Sequence, residues 1–368
     1  MSSSDFYDIV VLGDGIVGLA CARATAARGL ATCLVGRRRP GVASIAAAGF
    51  LAPTVEPVRG RAFQFTLSAR DRYRSFLDEL RDVTGLEVPF ALDGVLRIAA
   101  TEREAATLAK SADSSTHWRS ASEIAELEPA LHAPFGGLVH AGDGMVDNQR
   151  LMGVLDAAVA AQAIPRHDAQ ATRVELVGDE AVLHLDTGAR IRSRHLIIAA
   201  GAWAPHLPGL PRPLPIRPLR GQMMALAAAP ALRRPVFGHG GYVVPRTAQR
   251  QVMVGSTAET VGFTTGTTDA ALAGFRVTAT RLVPSLARAD EVRTWCGFRP
   301  MTLDGLPIIG ADPDAPAILY AAGHSRNGIL LAPLTGDVVA ALAAGDPPGH
   351  DLSPFAMSRF SRPAGVKS

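Results

Sequence analysis

Cysteine, lysine, aromatic residues and long apolar runs are all scarce in this 368-residue chain. The three cysteines, Cys21, Cys33 and Cys296, are odd in number and lack metal-ligand spacing. That excludes a disulfide framework and a thiolate metal site, and a reducing cytoplasm is the expected location. No apolar run approaches the ~18 residues needed to cross a bilayer. The N-terminus has no basic stretch, and the apolar segment behind it carries Asp14, so no secretory signal is expected. Aromatic residues make up only 5% of the chain, and of 37 basic residues only Lys110 and Lys367 are lysine. The basic residues are scattered among 34 acidic ones, with Arg37-Arg38-Arg39 as the one dense run. The net charge of +3 therefore brings no aromatic-interleaved basic stripe, and no nucleic-acid partner is expected. What the chain has in quantity is apolar residues, at 48%, with 19% charged. That excludes a solvated coil, and the length suggests roughly two domains.

Asp8-Ile-Val-Val-Leu12 reads as a strand, Ile16 to Arg28 as a helix, and Ala31 to Val35 as a second strand, which together form a βαβ unit. Phe65, Tyr73, Phe76, Leu77 and Leu80 predict one long amphipathic helix from Arg61 to Thr84. Thr101 and Glu104 have capping-box spacing and open a further helix. Asp147 to Gln162 is helical, and Thr172 to Ala200 reads as three strands with turns at Gly178-Asp179 and Thr187-Gly188. Proline is dense from Pro205 to Pro218, the best candidate boundary in the chain. Beyond it come strand-like pieces at 222–226, 242–245 and 251–255, a helix over 268–282, a strand over 318–322 and a helix over 328–344.

Gly13-Asp14-Gly15-Ile16-Val17-Gly18 fits G-x-G-x-x-G in its required context, after a strand and opening a helix. The first glycine permits the tight turn, the second lets a pyrophosphate approach the backbone, and the third, Gly18, lets helix and strand pack closely. The second strand of such units usually ends in an acidic residue that accepts hydrogen bonds from the adenosine ribose. Here Gly36 stands in that place, followed by Arg37, which can signal a 2′-phosphate and hence NADP. On this reading Gly36→Glu is expected to tighten dinucleotide binding.

From this point the chain resembles the FAD-dependent D-amino-acid oxidase superfamily and, within it, the bacterial glycine oxidases of thiamine biosynthesis. The likeness rests on Ser44-Ile-Ala-Ala-Ala-Gly-Phe-Leu51, Val146-Asp-Asn-Gln-Arg-Leu151, Ala199-Ala-Gly-Ala-Trp203, Arg220-Gly-Gln222 and Tyr242-Val-Val-Pro-Arg246. Its most specific pieces are Gly297-Phe-Arg-Pro300, running on to Asp304-Gly-Leu-Pro-Ile-Ile-Gly310, and Ala322-Gly-His-Ser-Arg-Asn-Gly-Ile-Leu-Leu331. The resemblance implies an α/β fold with a discontinuous Rossmann-like FAD-binding domain (1–60, 146–215 and 305–368). A substrate domain with an antiparallel sheet and helices would take up 61–145 and 216–304.

It also implies non-covalent FAD, held by Gly13, Gly15, Ile16, Val17, Gly18, Gly36 and Arg37. Ala43, Ser44, Ala48, Gly49 and Phe50 would line the pyrophosphate and flavin edge, Val174 the adenine, and Gly201 and Trp203 a strand end beside the cofactor. His324, Ser325, Arg326, Asn327, Gly328, Ile329 and Leu330 would open the last helix, whose dipole would face the flavin pyrimidine. Trp118, Trp203 and Trp295 read as core rather than cofactor clamps, and Cys296 as a free thiol rather than a flavin attachment point. Arg299 is the expected clamp for a substrate carboxylate, presented at a strand end, with Tyr242 and Arg326 assisting. No metal and no protein acid or base is implied.

The implied reaction is oxidation of a small amino acid (glycine, sarcosine or a small D-amino acid). A hydride passes to FAD, the imine hydrolyses to a 2-oxo acid and ammonia or an amine, and dioxygen becomes hydrogen peroxide. A dehydrogenase with another electron acceptor and a non-oxidase dinucleotide-binding protein are the alternatives, and homo-oligomerisation stays open.

Overall fold

The computed structural model describes residues 6–55, 58, 60–227 and 232–360. The N-terminal residues 1–5 and Lys367 lie outside the described residues. The fold is α/β, with two eight-stranded sheets and one three-stranded sheet among the described residues. In the first sheet, Phe6–Leu12 runs parallel to Thr32–Val35 on one side and to Arg190–Ile198 on the other. Ile318–Ala322 adds parallel to the far end of Arg190–Ile198. The antiparallel pair Ala171–Val177 and Glu180–Leu185 extends the same edge nearer that strand's start. Ile9, Val10 and Val11 are fully buried, as expected where helices and loops cover both faces of a parallel sheet.

The helix Ile16–Ala27 crosses back over this sheet and packs on the C-terminal helix Gly328–Ala344. Two glycines allow that packing. A Cβ at Gly18 would stand 1.7 Å from the Gly13 carbonyl oxygen, and one at Gly336 would stand 2.8 Å from that of Ala20. The carboxyl ends of Phe6–Leu12, Thr32–Val35, Arg190–Ile198 and Ile318–Ala322 all lie on one side, where open α/β sheets bind their ligands.

The second sheet orders its strands Glu291–Thr302, Ile216–Ala227, Gln251–Gly255, Gly241–Arg246, Val236–Gly238, Val95–Ile98, Gly137–His140 and Thr116–Arg119. Helix Asp269–Leu282 covers it, burying Phe275, Ala279 and Leu282 against Met224, Val243 and Val254. A small antiparallel sheet pairs Gly144–Val146 with Phe50–Leu51 on one side and Phe90–Ala91 on the other.

Three local expectations are corrected. The segment from Arg61 to Thr84 is two helices, Arg61–Asp71 and Tyr73–Thr84, with Arg72 between them. The first packs on the C-terminal helix and the second on helix Asn148–Ala161, and one straight rod could not follow both. At Thr101 the capping box is incomplete, because Glu104 accepts from Ala100 N instead of Thr101 N. A reciprocal box closes instead at Ser120 and Glu123. Arg299 is not at a strand end but within the strand Glu291–Thr302, because Pro300 does not stop it. Pro300 lies opposite Pro218, a register position at which neither residue needs to donate.

Candidate active site and cofactor cleft

One cleft runs along the carboxyl ends of the parallel strands and on to the second sheet. At one end Gly13 turns the chain at φ +122°, and a Cβ there would stand 2.3 Å from the Ala199 carbonyl oxygen. Gly15 caps helix Ile16–Ala27 without a side-chain bond, and no acidic residue follows in the first turn. Ser44 Oγ accepts from Ile16 N at 3.0 Å, which ties the turn to the strip 43–50. The carbonyls of that strip are held from behind. Asn148 Nδ2 donates to Ser44 O (2.8 Å), Trp295 Nε1 to Ala46 O (3.0 Å) and Arg246 Nη2 to Ala48 O (2.8 Å). A second helix, Gly328–Ala344, begins at the same cleft with neither a side-chain cap nor a first-turn acid. Two helix N-termini with unneutralised dipoles and a wall of small residues suit a ligand carrying anionic and electron-rich groups.

Of the expected residues, Gly13, Gly15, Ile16, Val17, Gly36, Arg37, Ala43, Ser44, Ala48, Gly49, Phe50, Gly201 and Trp203 line the cleft, as do 324–329. Arg299 and Tyr242 line it as well. Gly18, Val174 and Leu330 do not. Gly18 packs against the Gly13 carbonyl, Leu330 is in the core, and Val174 N donates to Pro208 O at 2.8 Å. Trp203 lines the cleft while stacking on Phe263, with ring centroids 5.1 Å apart, so it is both lining and packed. Trp118 packs with Ala99, Leu108 and Leu138, and Cys296 is a free thiol.

The 2′-phosphate reading of Arg37 is corrected. Its Nε donates to Asp168 Oδ1 (3.0 Å) and its Nη1 to Asp186 Oδ2 (2.8 Å), so two carboxylates already neutralise it. The room that Gly36→Glu needs is already taken, because a Cβ at Gly36 would lie within 2.9 Å of three Asp14 atoms.

At the other end, Arg299 Nη1 donates to Thr257 O at 3.0 Å and Nη2 to Ser256 Oγ at 2.6 Å. Thr257 is held in turn, since its Oγ1 accepts from Gln222 N at 3.0 Å. The fully buried Gln222 reaches Glu259, which also pairs with Arg220. Tyr242 donates to Met223 Sδ at 3.2 Å and stands edge-on to Phe50, with centroids 4.9 Å apart. Phe237 completes this aromatic wall. His324 is buried, with Nε2 3.1 Å from Thr335 Oγ1, and burial pushes its pKa down to about 3. It is a neutral lining group at ordinary pH.

Sequence reasoning missed Asp14, Arg39, Gln170, Gly221, Phe237 and Ser256 as cleft residues. Gly221 carried a signal, as a glycine inside a strand where a neighbour comes close. Asp14 stood inside the glycine motif and Arg39 in the arginine run, whereas Gln170, Phe237 and Ser256 carried no signal, since their positions depend on contacts between distant segments.

A glycine turn at a helix N-terminus, a second helix aimed at the same cleft and a polar substrate end together define a dinucleotide-binding flavoprotein class. Residues 8–342 match the family described as FAD dependent oxidoreductase. Glycine oxidase of Geobacillus kaustophilus is 31% identical over 98% of this chain and 99% of its own length. The bifunctional protein ThiO/ThiG of Trichormus variabilis is 34% identical over 97% of this chain, which spans 56% of that protein. The crystal structure of the Geobacillus kaustophilus glycine oxidase matches with a TM-score of 0.89, covering 97% of this chain and 99% of that one at 30% identity. The chain belongs to the family of FAD-dependent oxidoreductases, and FAD is its cofactor. No helix among the described residues is long and apolar enough to cross a membrane.

Proposed function

We propose that this chain is an oxidase of small amino acids (glycine, sarcosine and small D-amino acids), forming a 2-oxo acid, ammonia or an amine, and hydrogen peroxide. One observation carries the reading. The Arg299 guanidinium lines the cleft beside Tyr242, with its plane set by Ser256 and Thr257. A planar guanidinium recognises one fixed anion in a bidentate way, and an α-amino acid offers that anion.

Bound FAD supplies the electron acceptor, and dioxygen is the expected oxidant of the reduced cofactor. It would lie along Gly13 to Val17, the strip 43–50 and the N-terminus of helix Gly328–Ala344. Arg299 holds the substrate carboxylate. Tyr242 turns its hydroxyl from Met223 sulfur, a weak acceptor, to a carboxylate oxygen. Phe50, Phe237 and Tyr242 restrict the side-chain space and exclude water. His324 stays neutral and moves no proton, and no protein base is needed when the substrate amine arrives deprotonated.

The domain division expected above belongs to the same proposal. Strands of the first large sheet come from 1–60, 146–215 and 305–368, and those of the second from 61–145 and 216–304, which supports it.

The experiment is peroxide production with glycine, sarcosine and D-alanine, beside the flavin spectrum of each variant. Arg299→Ala is expected to lower kcat/KM about 30-fold or more while FAD stays bound, since truncating a desolvated charge partner costs about 2–5 kcal/mol. Arg299→Lys recovers only part, because a point charge lacks the fork. Near-normal kinetics of Arg299→Ala on the best substrate would move the carboxylate site to Arg326. An FAD-loaded protein that oxidises amino acids only with an artificial acceptor, forming no peroxide, would make it a dehydrogenase.

A further inference from the structure

Gly36 follows the second parallel strand, where dinucleotide-binding units carry the carboxylate that recognises the adenosine ribose. The space its side chain would enter is already filled. A Cβ at Gly36 would stand 2.8 Å from Asp14 Cβ and 2.9 Å from both Asp14 Cγ and Asp14 N. Asp14 therefore stands against Gly36 where an acidic side chain at 36 would begin.

Asp14 also lines the cleft, although it is only 6% exposed. Its Oδ2 accepts from Arg166 Nη2 at 2.7 Å. Arg166 Nη1 and Arg38 Nη2 both donate to Asp156 Oδ1, at 2.9 and 2.7 Å, and Arg38 Nε stands 3.7 Å from Asp14 Oδ2. This ring of two cations and two carboxylates fixes the orientation of Asp14. It also offsets the negative charge that would otherwise oppose a nearby pyrophosphate. Among the described residues no donor hydrogen-bonds to Asp14 Oδ1. Arg37 is turned away from the ring, onto Asp168 and Asp186.

We propose that Asp14 is the ribose-recognising carboxylate of this protein, accepting hydrogen bonds from the adenosine ribose hydroxyls of FAD in place of the residue that Gly36 lacks. The inference rests on FAD occupying the cleft as proposed above. A carboxylate accepting hydroxyl protons forms short, charge-assisted bonds that a neutral side chain cannot match. The ligand contact is thus carried from the glycine turn itself, one strand away from its usual origin.

The test is the FAD dissociation constant, read from flavin fluorescence on dilution of the holoprotein. Asp14→Ala is expected to weaken FAD binding about tenfold or more, and Asp14→Asn by less, as an amide oxygen still accepts. Gly36→Glu alone weakens binding, because its side chain collides with Asp14. Arg166→Ala loosens the aim of the carboxylate but leaves it in place, and weakens binding by less than Asp14→Ala. An unchanged constant for Asp14→Ala overturns the inference. So does an Arg166→Ala effect as large as that of Asp14→Ala. A parent protein that purifies without FAD and takes none up would instead remove the cofactor placement beneath it.

Discussion

The guanidinium of Arg299 lies flat against the Cα of Gly221: a Cβ at Gly221 would stand 2.4 Å from Nη1 and 2.6 Å from Cζ and Nη2. In the register of the two strands, Gly221 faces Gly297 and Arg299 faces Leu219, so Gly221 is the diagonal neighbour of the arginine. The glycine is there for space, since its φ lies outside the left-handed region. Gly221→Ala should push the guanidinium off Ser256 and Thr257. We expect kcat/KM to fall about 30-fold or more with FAD retained, approaching the Arg299→Ala variant. Unaltered kinetics would mean that the arginine has another place to go and that its contact with Gly221 is incidental.

Ser256 tests the same clamp more gently. Its hydroxyl accepts one charge-assisted bond from Arg299 at 2.6 Å. Removing it in Ser256→Ala leaves the charge but loosens its aim, at a cost of about 1.5–3 kcal/mol or less. The expected signature is a higher KM for the amino acid with the flavin spectrum unchanged. A fall in kcat alone would place Ser256 in some other role.

Arg246 is a buried cation whose bonds go to neutral acceptors: Ala48 O, Val146 O and Asn148 Oδ1, besides Pro245 O. Burial pulls its pKa below the usual guanidinium range. Arg246→Met strands those acceptors and frees the strip beside Phe50. Stability should drop by about 2–4 kcal/mol, and FAD should be released at a lower temperature. Thermal unfolding followed by flavin fluorescence measures both, and coincidence with the parent curve would sink the assignment.

Acid should destabilise the protein through its buried histidines. Burial lowers His324 to about 3 and His140 to about 4, against about 6.5 in the unfolded chain. Between those values and pH ~6.5 the unfolded state binds protons that the folded state refuses. Stability is therefore fully present above this window and falls as the pH drops through it, by up to about 1.4 kcal/mol per pH unit for each histidine. Asp143, raised by burial, works in the opposite direction and offsets part of the loss. Melting temperatures across the window are the measurement, and a midpoint that rises on acidification would contradict the assignment. The pH–rate profile should also lack a limb near 6.5, since His324 does not titrate there.

Much of the frame was legible because local chemistry decided it. The run of β-branched residues before Gly13, the cap at Asp147 and the glycine after Leu12 act over a few residues, and the structure places a strand, a helix start and a turn there. The break at Arg72 was not legible, because Arg61–Thr84 has continuous helical periodicity and only two separate packing partners divide it. Arg299 was legible as a chemical group but not as a position. Proline reads as a strand stop, and only the opposing Pro218 reveals a register that tolerates it.

The sequence by itself determined the glycine turn, the strand and helix that flank it, and the residue types that suit a flavin and a carboxylate. These follow from backbone preferences and short-range spacing, which any stretch of chain carries within itself. The tertiary structure decided which arginines are already neutralised, why Gly36 must lack a side chain beside Asp14, and where Gly221 leaves room for Arg299. Those are questions of which atoms share one volume, and that is settled only when segments distant in the chain are packed together.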